Sequence, residues 1–168
     1  MQTIHFNGTP CHTYGTIPTV GEKAPCYTLV APDLKEIRCS DHKGKRIIMN
    51  IFPSLDTSVC ALSVRRFNEL AAKLDNTVVL CISMDLPFAA KRFCSAEGID
   101  GVTIASAFRS SIFSEKYGLK IVDGLLAGLL ARAIIILDEN RNVVYTQLVD
   151  EITTEPEYDK AIAALNSI

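Results

Sequence analysis

The stretch Pro53-Ser54-Leu55-Asp56-Thr57-Ser58-Val59-Cys60 sets a thiol where an apolar strand, Ile47 to Phe52, ends and a helix begins. A thiol at a helix start meets the positive end of the helix dipole and backbone N–H groups with no partner inside the helix. Those groups favour the thiolate, the form of cysteine that attacks electrophiles. Thr57 lies one helical turn before Cys60, and its hydroxyl can both donate and accept a hydrogen bond there. Pro53 ends the strand, having no N–H for a ladder, and shields the loop from water. Each residue also has a plainer reading: Cys60 as a buried core thiol, Thr57 or Asp56 as a helix cap, Pro53 as a strand stop.

Two residues further along the chain suit the same chemistry. Cys94 lies in a second helical stretch, and a thiol there could capture an oxidised Cys60. Arg132 precedes the apolar run Ala133-Ile134-Ile135-Ile136-Leu137. A permanently charged guanidinium entering such a run needs an anionic partner, which a thiolate would supply. The plain alternatives are a buried thiol at Cys94 and a solvated strand-end arginine at Arg132. Cys81 sits mid-strand and reads as core. Cys11, Cys26 and Cys39 match no catalytic pattern and read as incidental, with secondary disulfides open to them.

The elements that would position these residues follow from periodicity. Asn7-Gly8 between short β-prone runs predicts a hairpin over the first ~15 residues. Tyr27 to Val30 reads as extended. Cys60, Val64, Phe67, Ala71 and Leu74 follow a 4-3-4-3 spacing, which predicts a helix over 57–74 with Cys60 on its core-facing stripe. Thr77 to Met84 reads as a buried strand. A helix opens at Leu86-Pro87-Phe88 and stops at Gly98. A short strand at 102–106 and a short helix at 112–117 follow. Residues 133–137 and 143–149 form an antiparallel pair across the turn Asp138-Glu139-Asn140-Arg141-Asn142. Pro156 opens a last amphipathic helix. This order predicts an α/β fold with a mixed central sheet flanked by helices on both faces.

Composition narrows the function classes. The chain has 168 residues, 48% of them hydrophobic, and a net charge of −2 from 17 basic and 19 acidic residues. One domain over 1–168 is the simplest organisation. With no basic tract, nucleic acid is not an expected partner. No apolar run approaches a membrane span, and Met1 to Phe6 lacks the features of a secretory signal, so the cytoplasm is the expected compartment. In such a compartment six cysteines do not read as three structural disulfides. No C-x-x-C is present. Cys39-Ser40-Asp41-His42 and Cys11-His12 are isolated fragments, so no metal site is expected.

The pattern P-x-x-x-T-x-x-C resembles the active-site loop of the peroxiredoxins, and Phe52 to Cys60 is most similar to the thiol peroxidase subfamily. The Leu86–Cys94 segment and Leu148 to Pro156 look like the same subfamily. This resemblance, over nearly the whole chain, implies a thioredoxin-like fold with an N-terminal β-hairpin extension. It implies a peroxidase that reduces hydrogen peroxide and organic hydroperoxides. In it Cys60 would be the peroxidatic nucleophile, Cys94 the resolving cysteine, and Thr57, Arg132 and Pro53 the rest of the site. An intramolecular Cys60–Cys94 disulfide would be recycled by thioredoxin, with no cofactor, in a homodimer. Two rival readings remain open at this point: a peroxide sensor whose disulfide alters a binding surface, and a thioredoxin-like domain with a dead site.

Overall fold

The computed structural model describes all residues, 1–168. A hairpin of β1 (Thr3–Phe6) and β2 (Thr9–His12) stands apart from a seven-stranded sheet. Its turn places Asn7 and Gly8 both at positive φ, 52° and 75°, the geometry that an Asn-Gly pair suits. The sheet contains β3 (Thr28–Val30), β4 (Glu36–Arg38), β5 (Arg46–Ile51), β6 (Thr77–Ser83), β7 (Thr103–Ser106), β8 (Ala133–Leu137) and β9 (Val143–Leu148), in the order β4-β3-β7-β6-β5-β8-β9. β5, β6 and β7 run parallel, while β8 pairs antiparallel with both β5 and β9. The helices are α1 (Ser58–Ala71), α2 (Pro87–Glu97), α3 (Ser111–Lys116) and α4 (Tyr158–Asn166). None of them is long and apolar enough to cross a membrane.

Strand alternation divides the interior in two. Ile47, Met49 and Ile51 of β5, with Ala133, Ile135 and Leu137 of β8, join one core that also takes Ile4, Cys11, Phe113, Tyr117 and Leu130. Ile48, Ile134 and Ile136 face the other way, into a core with Cys60, Val64 and Phe67 of α1, Ala90 of α2, and Ala161 and Leu165 of α4. Thus α1, α2 and α4 cover one face. The other is covered by α3, the hairpin and the loop from Gly118 to Arg132.

Local readings needed three corrections. The strand β4 and the 3-10 turn at Cys39–His42 carry no periodic signal and were not anticipated. The helix expected over 57–74 ends at Ala71, with Lys73 and Leu74 closing tight turns onto Leu70 and Ala71. Leu74 still packs on the core from outside the helix, which is why the apolar spacing overran the helix end. α4 begins at Tyr158, two residues after Pro156.

The hairpin braces the loop after β9. His5 N–H donates to the Asp150 carbonyl at 2.6 Å, and Ile152 N–H donates to the His5 carbonyl at 2.9 Å. The Glu151 carboxylate accepts from Gly8 N–H at 2.9 Å, from the Thr153 hydroxyl at 2.7 Å and from Asn7 N–H at 3.2 Å. Donors from Gly8, Thr153 and Asn7 lower the Glu151 carboxyl from 4.5 to about 2. A depressed folded value means the unfolded chain binds the proton first, so this stabilisation is present above about pH 4.5 and is lost as pH falls toward 2. Glu151→Gln should therefore lower the melting temperature at pH 7, and the gap to the parent protein should close between pH 4.5 and pH 2 in thermal melts. A gap independent of pH would contradict this role.

Candidate active site

β5 ends at Ile51, and the turn that follows carries Pro53 over the end of the sheet into α1. Cys60 occupies the first turn of α1, with no solvent exposure. It is more deeply enclosed than a helix-stripe residue sheltered on one side only. Thr57 stands at the N-cap position, yet no side chain caps the helix. The expected capping by Asp56 or Thr57 is thus not found. The Thr57 hydroxyl lies 2.6 Å from Cys60 Sγ and 3.1 Å from the Ser54 carbonyl, so it is engaged elsewhere. Asp56 points outward, with Arg92 3.9 Å away. The first-turn N–H groups therefore keep their hydrogen-bonding capacity for a ligand.

Arg132 reaches the same sulfur from the start of β8. The register pairs Ile51 of β5 with Ala133, which brings the residue before Ala133 beside the turn into α1. Arg132 is only 2% exposed. Its Nη2 lies 3.4 Å from Cys60 Sγ, and its Nε donates to the Ile152 carbonyl at 2.8 Å. No carboxylate pairs with it, and Nη1 has no hydrogen-bond partner. A buried guanidinium without a carboxylate is costly unless another anion balances it. Cys60 is the ionisable group in contact. A hydroxyl has one hydrogen to give. Thr57 can direct it to Ser54 when Cys60 is a thiol, and to the sulfur when Cys60 is a thiolate.

A cavity of about 260 Å³ opens beside this group. Pro53, Thr57, Ser58, Arg132 and Thr153 line it together with apolar Phe6, Val59, Leu126, Leu129 and Ile152. Pro53, Thr57, Cys60 and Arg132 are thus brought together. Cys94 is not in this group. It sits half-buried in the last turn of α2, packed against the core that holds Cys60, and both thiols are free. Burial raises the Cys94 thiol above its ordinary value. The last turn of α2 ends at Gly98, in a left-handed conformation with φ 64°, whose N–H caps the Cys94 carbonyl. Cys81 lies buried in β6 with Asn50 Nδ2 3.6 Å from its sulfur, and burial pushes its thiol up to about 12. It is a core residue, as its position mid-strand implies.

Two supports were not recognised in the sequence. The Asp85 carboxylate accepts from Ser54 Oγ, Leu55 N–H and Ser83 Oγ, each at 2.7 Å, and so ties the Pro53–Thr57 loop to the start of α2. Asn50 donates to Ser63 Oγ at 3.1 Å, which in turn donates to the Cys60 carbonyl at 2.8 Å, anchoring the first turn of α1 to the sheet. A buried asparagine within the apolar strand Arg46–Ile51 was the one signal for the second support.

Residues 19–162 match the family model described as Redoxin. The chain is 56% identical to the thiol peroxidase of Corynebacterium glutamicum, over 99% of this chain and all of that one. It is 53% identical to the thiol peroxidase of Mycobacterium bovis, with the same shares covered. A peroxiredoxin-like protein from Aquifex aeolicus superposes with a TM-score of 0.94 at 41% identity, covering 99% of this chain and 97% of the other.

The Asp85 network makes a direct prediction. Asp85→Ala leaves the Leu55 N–H without its acceptor and should cost about 1–3 kcal/mol of stability. A displaced loop should also slow peroxide reduction by about tenfold or more. Chemical denaturation and steady-state peroxide consumption measure the two effects. An unchanged rate in folded protein would show that the loop holds its geometry without Asp85.

Proposed function

The chain belongs to the Redoxin family, as a thiol peroxidase of the peroxiredoxin type with a thioredoxin-like fold, and from that premise we propose that Cys60 reduces peroxides and Cys94 resolves the product. The observation that carries this reading is the buried Arg132 guanidinium, with Cys60 Sγ 3.4 Å from Nη2 and Nη1 without a hydrogen-bond partner, beside a cavity that Arg132 helps to line.

The mechanism follows from these groups. Cys60 reacts as the thiolate, with Arg132 Nη2 beside its sulfur and the Thr57 hydroxyl donating to it. A hydroperoxide enters the cavity, where Arg132 Nη1 and the uncapped N–H groups of Ser58 and Val59 bind its oxygens. The thiolate attacks the nearer oxygen, the O–O bond breaks, and the other oxygen leaves as water or an alcohol after gaining a proton. The same donors stabilise charge as it develops on the leaving oxygen. Pro53 keeps bulk water from the reacting pair. Phe6, Leu126, Leu129 and Ile152 offer apolar contacts to an organic substituent, so both hydrogen peroxide and organic hydroperoxides are substrates. The chemistry resides in the thiols and calls for no cofactor or metal.

Resolution requires motion. Cys60 becomes a sulfenic acid, which condenses with the Cys94 thiol to release water and form a disulfide. A disulfide requires Cα atoms about 4.4–6.8 Å apart. Cys60 is fully enclosed and Cys94 half-buried, so at least one of these helical turns must loosen before thioredoxin can reach the bond. Thioredoxin then reduces the bond by thiol–disulfide exchange. The reading extends to a homodimer working in the cytoplasm, with residues 1–168 acting as one domain.

A coupled assay with thioredoxin, thioredoxin reductase and NADPH tests the roles. The parent protein should turn over repeatedly on hydrogen peroxide, and Cys60→Ser should lose about a hundredfold or more of that rate. Cys94→Ser should consume one equivalent of peroxide and leave a sulfenic acid at Cys60 that dimedone traps. Turnover at the parent rate by Cys60→Ser would remove Cys60 from the chemistry. Turnover at the parent rate by Cys94→Ser would remove the intramolecular disulfide.

A further inference from the structure

A second pair of thiols lies at the far end of the sheet. β8 starts beside Arg132 and runs five residues to Leu137, so the turn after it stands on the order of 17 Å from the site above. That turn carries Arg141, whose Nη1 lies 2.6 Å from Cys26 Sγ. Cys26 is exposed and Cys39 half-exposed, and both line one surface cavity of about 350 Å³ with Lys23, Lys43, Glu139 and Arg141. β3 and β4 bring the two cysteines together. Their ladder continues past Thr28 and Arg38, with Cys39 N–H donating to the Tyr27 carbonyl at 3.1 Å, so Cys39 sits opposite the neighbour of Cys26.

Arg141 is held in place for this contact. The Asp138 carboxylate accepts from the N–H groups of Asn140 and Asn142 at 2.9 and 2.7 Å, and Arg141 adopts a left-handed φ of 65°. Ala24 N–H donates to the Arg141 carbonyl at 2.9 Å, strapping the turn to the segment just before Cys26. The two thiols are unequal. Hydrogen bonds from Cys39 and Arg141 lower Cys26 from its ordinary value, while burial and the bond to Cys26 raise Cys39. Cys26 therefore gives up its proton more readily than Cys39.

We propose that Cys26 and Cys39 form a second redox centre, in which peroxide converts the dithiol to a disulfide independently of Cys60. The Cys26 thiolate attacks a peroxide oxygen, the O–O bond breaks, the leaving oxygen takes a proton from solvent and departs as water or alcohol, and Cys26 becomes a sulfenic acid. Cys39 sulfur then attacks Cys26 sulfur. The S–O bond breaks, the Cys39 proton leaves with the hydroxyl as water, and the S–S bond forms. One peroxide is reduced by two electrons and the dithiol is oxidised by two. The separation from Cys60 rules out direct exchange between the two centres in the folded chain. An open setting with one guanidinium makes this centre slower than the enclosed one, so it records peroxide that escapes the first.

The test uses full-length Cys60→Ser protein, so that failure of the Cys60 assignment and failure of this one remain distinct. After hydrogen peroxide in excess, non-reducing proteolysis and mass spectrometry should recover a Cys26–Cys39 cross-linked peptide. With Cys39→Ser added, dimedone should label Cys26. Arg141→Asn removes the guanidinium but keeps a residue that tolerates the left-handed turn, and it should slow cross-link formation by about fivefold or more. Recovery of Cys26 and Cys39 as free thiols would overturn the proposal, and so would an Arg141→Asn rate equal to that of the Cys60→Ser parent.

Discussion

A guanidinium buried with no carboxylate is the constraint on which the site depends. Arg132 is almost fully enclosed, meets Cys60 sulfur through Nη2, and holds the Ile152 carbonyl through Nε. Removing such a cation from water costs several kcal/mol unless an anion compensates it. A thiolate at Cys60 offers that compensation, and the free Nη1 leaves one donor for a substrate oxygen. The rest of the architecture can be traced to this need. The antiparallel pairing of β8 with β5 aims Arg132 at the start of α1. The hairpin pins the loop carrying Ile152, so a feature remote in sequence holds the guanidinium in register.

Enclosure conflicts with the next chemical step. A sulfur with no solvent exposure is protected, yet on the proposed mechanism its disulfide with Cys94 must become accessible to a reductant. The structure concentrates its fastenings beneath the first turn of α1, through Asp85 on the loop and the Asn50–Ser63 pair under the helix. The last turn of α2 is held by the Gly98 and Ile99 N–H groups on the Cys94 carbonyl, by Asp100 and Gly101 N–H groups donating to Asn68 of α1, and by an Arg65–Glu97 ion pair near the surface. Surface pairs of this kind contribute little.

Much of this was legible because it is local. Runs such as Ile47–Phe52 and Ala133–Leu137 declare buried strands, and the 4-3-4-3 spacing from Cys60 declares a helix whose first turn holds the thiol. The peroxiredoxin resemblance then identified Thr57, Pro53 and Arg132 as neighbours, and the structure brings these three together with Cys60. What stayed hidden depends on long-range contact or on backbone atoms. The Ile152 carbonyl has no residue-type signature, and Asp85 meets Ser54 only after β5 and β6 pair. The N-cap position of Thr57 suggested a capping hydroxyl, but the nearby sulfur and the Ser54 carbonyl compete for it. Missing the three-residue strand β4 had a further consequence. Without that pairing, Cys26 and Cys39 read as unrelated cysteines, whereas the ladder makes them neighbours beside Arg141.

The central claim is that the planar donors of Arg132, rather than its charge alone, hold the transition state for peroxide attack. Arg132→Lys keeps a cation but cannot reach Ile152, Cys60 and a peroxide oxygen together. The most direct measurement is the stopped-flow rate constant for hydrogen peroxide oxidising Cys60 in this variant, with its melting temperature taken alongside. Loss of one such donor is worth about a hundredfold to a thousandfold in rate, so the account predicts a fall of about that size in protein that remains folded. A rate constant equal to that of the parent, in folded protein, would contradict it.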